Sequence, residues 1–219
     1  MAKLKKLMIY DLDGTLVDTR KDIAHAVNRM LSEMGAAQLS EGQIARHVGR
    51  GLYHLVGSCL DTNDKKKIEA GARLYRDYYS RHMLDNTVLF PGAKEILEYF
   101  KGQNQAVLTN KPNPFSQQIL EALGTADYFI EILAGDSKFP KKPDPAAVHF
   151  LMERTGAGPH QTVLVGDSLI DIETGRNAGV VTVVVSHGFS AENELKSAAP
   201  DGIFRNFKEL LAYARQEGW

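Results

Sequence analysis

Short runs of aliphatic and β-branched residues punctuate this chain, and between them apolar positions recur every three or four residues. The run "KLMIY" (6–10) has no polar alternation and stops at Asp11, which predicts a strand buried on both faces. From Thr19 to Met34, Ile23, Ala26, Val27, Met30, Leu31 and Met34 share one helical face, and Gly35 supplies a stop. A second helical stretch starts at Ser40 and is broken by "VGRG" (48–51). A third runs from about Asp64 to Leu84, with Ile68, Ala72, Tyr75 and Tyr79 on one face. Residues 19–85 therefore predict helices and no strand.

The pattern then changes. "QAVLTN" (105–110), "FIEILAG" (129–135), "TVLVGD" (162–167) and "VTVVVS" (181–186) read as strands. Helical stretches at about 92–101, 113–123, 144–155 and 170–178 separate them. "DGIFRN" (201–206) reads as a last edge strand and "FKELLAYARQ" as a closing helix. Strands alternating with helices imply right-handed βαβ units and a parallel sheet covered on both faces. One strand lies before the helical block and the others after it. The chain thus reads as an α/β core interrupted by a helical insertion, with hinges near 15–19 and 85–91, where "FPGA" (90–93) carries turn residues.

Composition narrows the function. The 219 residues suffice for one large domain or for a domain and a smaller partner. With 26 basic and 27 acidic side chains, no field of either sign favours nucleic acid or an anionic membrane. The lone Cys59 allows no intrachain disulfide and fits a reducing cytoplasm. The N-terminal "MAKLKKLMIYDLDG" has too short an apolar run for a signal peptide, and no segment is long enough to span a membrane.

In open parallel sheets, ligands bind outside the carboxyl ends of the strands. Those ends are polar here: Asp11-Leu12-Asp13, then Thr109-Asn110-Lys111, then a loop with Lys141-Lys142-Pro143, then Gly166-Asp167-Ser168 with Asp171 close behind. Carboxylates gathered at one crevice repel by about 4 kcal/mol per pair at 4 Å in a surface-like dielectric. A divalent cation offsets this, and all-oxygen ligands without a Cys or His cluster favour Mg²⁺. With Lys142 beside it, such a site attracts a phosphate dianion. An aspartate can then attack phosphorus, and a second carboxyl can protonate the leaving oxygen. Thr109, Asn110, Lys142 and backbone amides can hold the equatorial oxygens.

Four segments, "DLDGTLVDT", "VLTNKP", "KKPDP" and "VGDSLIDIETGRNAG", in this order, resemble the signature motifs of the haloacid dehalogenase superfamily of phosphatases. The resemblance covers essentially the whole chain. It implies a Rossmann-like parallel core, residues 1–16 and 86–219, and an inserted all-helical cap, residues 17–85. By position, Asp11 resembles the nucleophile that becomes an aspartyl-phosphate, and Asp13 the general acid and base. Thr109 resembles the phosphate-binding hydroxyl, with Asn110 beside it. Lys142, directly before Pro143, resembles the lysine that steadies nucleophile and phosphate. Asp167 resembles the acidic Mg²⁺ ligand, alongside Asp11 and the backbone carbonyl of Asp13. Asp171 resembles a supporting acid, next to Ser168 and Gly166. The superfamily's dehalogenases lack the second aspartate, so Asp13 implies phosphoryl transfer.

Finer features, "HVGRGLYHLVG" (47–57), "AGDSKFPKKPDP" (134–145) and "SHGFSAENEL" (186–195), resemble the phosphoglycolate phosphatase branch. They place Gly49, Arg50 and Gly51 at the substrate. Arg50 departs from the asparagine of that cap loop; it can hold a substrate carboxylate by a bidentate fork or lie on the surface. The implied enzyme is cytoplasmic, acts on a small phosphorylated metabolite, favours 2-phosphoglycolate, and is a monomer or homodimer. Rivals are a phosphatase for pyrophosphate, a nucleotide or a sugar phosphate, and a sugar phosphomutase. A non-catalytic phosphate-binding or phospho-accepting regulator is the rival of another class. Plain structural roles also suit these residues: Asx-turns for Asp11 and Asp13, a helix cap for Thr109-Asn110, and a favourable first-turn acid for Asp171. The histidines show no ligand spacing; His47, beside the cap loop, is the one candidate among them for touching substrate, and a plain structural role suits it too.

Overall fold

A computed structural model describes residues 4–219, so the first three residues of the expected core and of the basic N-terminus lie outside it. The chain opens with β1 (Leu7–Tyr10) and β2 (Val17–Asp18), followed by α1 (Arg20–Glu33), α2 (Glu41–Ala45), α3 (Leu52–Cys59) and α4 (Lys65–His82). Then come β3 (Val88–Leu89), α5 (Ala93–Tyr99), β4 (Asn104–Leu108), α6 (Phe115–Ala122), β5 (Glu131–Leu133) and α7 (Ala146–Thr155). The chain closes with β6 (Thr162–Gly166), α8 (Leu169–Ala178), β7 (Val181–Val185), α9 (Glu192–Ser197), β8 (Gly202–Phe204) and α10 (Phe207–Glu217).

Six strands form one parallel sheet in the order β5-β4-β1-β6-β7-β8. β1 lies between β4 and β6, and all four of its residues are buried. Its pleat divides them: Met8 and Tyr10 join the apolar cluster of α5, α6 and α10, while Leu7 and Ile9 join that of α7 and α8. This two-sided burial is why the run shows no polar alternation.

The helices α1–α4 pack on one another, with α1 against α4 as the main contact. Ser40 caps α2 in a capping box with Gln43. Gly49 and Gly51, at φ 109° and 90°, turn the chain from α2 into α3 in a conformation that L side chains rarely adopt. Both crossings into and out of this block hold structure that the periodicity does not show. β2 and β3 pair antiparallel, Val17 opposite Leu89 and Asp18 opposite Val88. Asp22 of α1, 1% exposed, accepts four hydrogen bonds of 2.8–2.9 Å from the backbone and side chains of Asn86 and Thr87. Two-residue strands carry no measurable period, and the short α9 is likewise invisible in the pattern. Among the described residues, no helix is long and apolar enough to cross a membrane.

Candidate active site

The site lies beyond the carboxyl ends of β1, β4 and β6. The ladder continues one step past β1, since the Asp11 N–H donates to the Val165 carbonyl at 2.9 Å. This holds the Asp11 backbone rigid. Its Oδ1 accepts from the Leu12 N–H at 2.7 Å and pairs with Lys142 Nζ at 2.8 Å. Lys142 also pairs with Asp171 Oδ1 at 2.7 Å. The other oxygen of Asp171 accepts from the Ser168 hydroxyl (2.5 Å), the Ser168 N–H (3.1 Å) and the Asp167 N–H (3.3 Å). Ser168 caps α8 through the same contact, so a helix start and the site share one carboxylate. Asp167 accepts from the Thr15 hydroxyl and the Phe189 N–H, each at 2.8 Å.

Glycines allow this crowding. A Cβ on Gly166 would lie 2.3 Å from Asp171, one on Gly14 2.4 Å from Asp167, and one on Gly188 2.2 Å from Asp167. Gly166 thus serves close approach.

Oxygens of Asp11, Asp167 and Asp171 lie within 4.8 Å of one another, and all three residues are buried. Three carboxyl groups face one ammonium, a surplus of two negative charges once all three are ionised. Burial, and then the charge of Asp171, push the Asp11 carboxyl up to about 7 although Lys142 pulls it down. Burial, with Asp171 and Asp11, also raises Asp167 well above the usual carboxylate range. For Lys142, burial acts downward, but Asp11 and Asp171 outweigh it and hold the ammonium charged. One hard dication neutralises the surplus and suits these oxygen donors. One Asp171 oxygen takes three hydrogen bonds and the other the lysine. Each Asp167 oxygen takes one, and the Asp11 bonds fall on Oδ1, so Asp11 and Asp167 are the side chains with more lone pairs left for an ion.

Asp13 goes elsewhere. The chain turns tightly after Leu12, whose carbonyl accepts from the N–H groups of Thr15, Leu16 and Val17. The Asp13 carboxylate then meets Lys111 Nζ at 3.0 and 3.2 Å and the Thr19 hydroxyl at 2.8 Å. The Asp13 side chain thus lies apart from the carboxylates of Asp11 and Asp167, which leaves its backbone carbonyl, the atom expected at an ion, as the part of Asp13 free for that role.

Thr109 follows β4, its N–H bonded to the Leu133 carbonyl and its hydroxyl accepting from the Lys111 N–H at 3.1 Å. Asn110, expected to face phosphate, lines the site but commits its side-chain amide to the backbone. It donates to the carbonyls of Gly49 (2.8 Å) and Lys142 (3.0 Å) and accepts from the Lys142 N–H at 2.9 Å. It ties the loop before α3 to the backbone of Lys142 instead. Lys141 does not compete with Lys142, since its Nζ lies beside Gly51. Gly49 and Gly51 border the site; Arg50 is exposed, on the rim of a wide polar cleft that His47 also lines.

Lys111 is the residue that the motif reading passes over. Its side chain is 5% exposed, and its ammonium donates to the Tyr79 hydroxyl at 2.7 Å as well as to Asp13. Tyr79 reads in the sequence as a packing residue. The available signal was the position of Lys111, two residues beyond Thr109 at a strand end.

The sequence profile described as haloacid dehalogenase-like hydrolase matches residues 8–185. A phosphoglycolate phosphatase of Vibrio parahaemolyticus is 34% identical over 216 residues, covering 94% of each chain. One of Psychrobacter arcticus is 36% identical over 219 residues, covering 95% of each. A crystal structure titled a predicted phosphoglycolate phosphatase, from Haemophilus somnus, superposes with a TM-score of 0.91 at 32% identity, covering 98% of this chain and 99% of that one.

Proposed function

This chain belongs to the haloacid dehalogenase-like hydrolase family, and from that membership we propose a Mg²⁺-dependent phosphatase that forms an aspartyl-phosphate on Asp11 and favours 2-phosphoglycolate. The observation that carries it is the set of buried carboxylates, Asp11, Asp167 and Asp171, around one ammonium at the central strand ends. Asp11, Asp167 and the Asp13 carbonyl would hold Mg²⁺, which supplies charge to bind and polarise the phosphoryl oxygens.

The bonds from Leu12 and Lys142 fall on Asp11 Oδ1, so Oδ2 is the oxygen for attack. It forms a bond to phosphorus as the ester P–O bond breaks, and the leaving oxygen takes the electron pair and a proton from Asp13. Asp13 then removes a proton from water, whose oxygen attacks the same phosphorus. Inorganic phosphate leaves and the Asp11 carboxylate is restored. Thr109 keeps its O–H to donate, and with Lys142 it holds the oxygens that stay on phosphorus. Asp171 fixes Lys142. The helical block α1–α4 covers the site and keeps bulk water from the acyl phosphate. The names of the relatives support glycolate as the leaving group, and the composition supports a cytoplasmic enzyme acting on a small metabolite.

Phosphate release from a panel of phosphorylated metabolites with Mg²⁺, ranked by kcat/KM, tests this reading. 2-Phosphoglycolate is expected first, and Asp11→Asn is expected to lower kcat by at least about 10³-fold. Faster turnover of pyrophosphate, nucleotides or sugar phosphates would overturn the substrate. Wild-type turnover by Asp11→Asn would overturn the mechanism.

A further inference from the structure

Two spaces open at these strand ends, and Asp11 and Asp13 border both. The wider, about 740 Å³, runs past Asp167 and Ser168 and carries Arg46, His47 and Arg50 on its cap side. The smaller, about 50 Å³, is walled by Leu52, Leu55, Tyr75 and Phe115. Lys111 is the one basic residue lining it among the described residues. An ammonium this buried is costly unless anions surround it. In this structure Asp13 is its charged partner and the Tyr79 phenol its neutral one. Burial, with Asp13 and Asp22 nearby, raises Tyr79 well above its ordinary range, so the phenol stays a neutral acceptor.

We infer that Lys111 binds the carboxylate of the substrate's leaving group, and that the small apolar-walled space is the subsite that selects a short phosphorylated acid. The inference rests on the phosphoglycolate reading above and deepens it. Asp13 has to touch the ester oxygen to protonate it. In 2-phosphoglycolate one methylene separates that oxygen from the carboxylate. A cation 3.0 Å from Asp13, on the side of α4, stands where that carboxylate must go. The aliphatic and aromatic walls leave little room for a longer or more polar leaving group. Arg50, the candidate from the sequence, is exposed, where solvent screens a charge and an ion pair contributes little.

Ethyl phosphate is the control substrate, because it differs from 2-phosphoglycolate only by a methyl group in place of the carboxylate. Wild-type enzyme is expected to prefer 2-phosphoglycolate by roughly 100-fold in kcat/KM. Lys111→Met is expected to erase about 10- to 100-fold of that preference, mainly through KM, the range for a hydrogen bond to a charged group. Lys111→Arg is expected to restore part of it, and Arg50→Ala to leave it intact. A preference that survives Lys111→Met, with both substrates slowed alike, overturns the inference and makes Lys111 a support for Asp13 alone. So does a preference lost in Arg50→Ala. Absence of any preference in the wild type overturns the phosphoglycolate reading together with this one. Should Lys111→Met not fold, calorimetric affinities for both compounds decide between Asp13→Asn and the doubly neutral Asp13→Asn/Lys111→Gln. The first is expected to keep the preference for the acid and the second to lose it; retention by the second overturns the inference.

Discussion

Asp11 and Asp13 stand two residues apart at the end of one strand, yet their charges are settled in opposite ways. Asp11 sits with two more buried carboxylates and one shared lysine, a group left negative. Asp13 has a lysine to itself and a threonine hydroxyl, a pair already neutral. The difference shows where an added cation belongs and where it does not. On the proposed mechanism, the unbalanced side is completed by an ion and a phosphoryl group, and the balanced side holds the proton carrier and whatever lies next to it.

Removing the shared ammonium is the severest challenge to that contrast. Lys142→Met leaves three buried carboxylates without a counter-charge, and denaturant unfolding is expected to show a loss of about 3–5 kcal/mol, with activity falling to background. Unchanged stability would mean that Lys142 does not reconcile these acids.

Metal and pH probe the same surplus more gently. Asp11 titrates near 7 in the metal-free fold and near 3.9 when unfolded. Between those values the native state binds more protons, so metal-free stability is full at low pH and falls as pH rises through about 7. Mg²⁺ is therefore expected to raise the melting temperature more at pH 8 than at pH 5. At about 100-fold excess over its Kd it contributes about 2.7 kcal/mol, or roughly 5–10 °C for a chain of this size. An equal rise at both pH values would remove Asp11 from the ligand set.

The balanced side should respond least. Thr19→Val removes one hydrogen bond to a carboxylate that keeps its lysine, with an expected loss of about 1.5–3 kcal/mol by thermal melting. Its kcat should fall only a few-fold. A collapse as deep as that of Asp11→Asn would show that Thr19, rather than Lys111, sets the position of Asp13.

The sheet and the polar strand ends were legible because a strand buried on both faces has to be continuously apolar, and because "DLDGTLVDT", "VLTNKP", "KKPDP" and "VGDSLIDIETGRNAG" come in a fixed order. The direction of Asp13 was not legible. Strand alternation places residues i and i+2 on one face, and only the turn bonds on the Leu12 carbonyl show that the chain has left the strand by then. The side-chain bonds of Asn110 were hidden for a related reason: an amide beside a phosphate-binding threonine fits phosphate equally well on paper. Its partners, Gly49 and Lys142, lie 61 and 32 residues away in the chain. Lys111 and Tyr79 were hidden because each has an ordinary local role, strand-end charge and helix packing, and only tertiary contact joins them.

The pairing of Asp18 with Val88 has a consequence for how this architecture can vary. The helical block leaves and rejoins the rest of the chain through the β2–β3 ribbon, at neighbouring points, so the gap its removal would leave is no wider than a hairpin turn. Closing so short a gap costs little chain entropy, whatever the length of the excursion. The parent sheet is thereby indifferent to what is spliced in at that point, and covers of different size and lining can be exchanged while the phosphoryl chemistry beneath them stays the same.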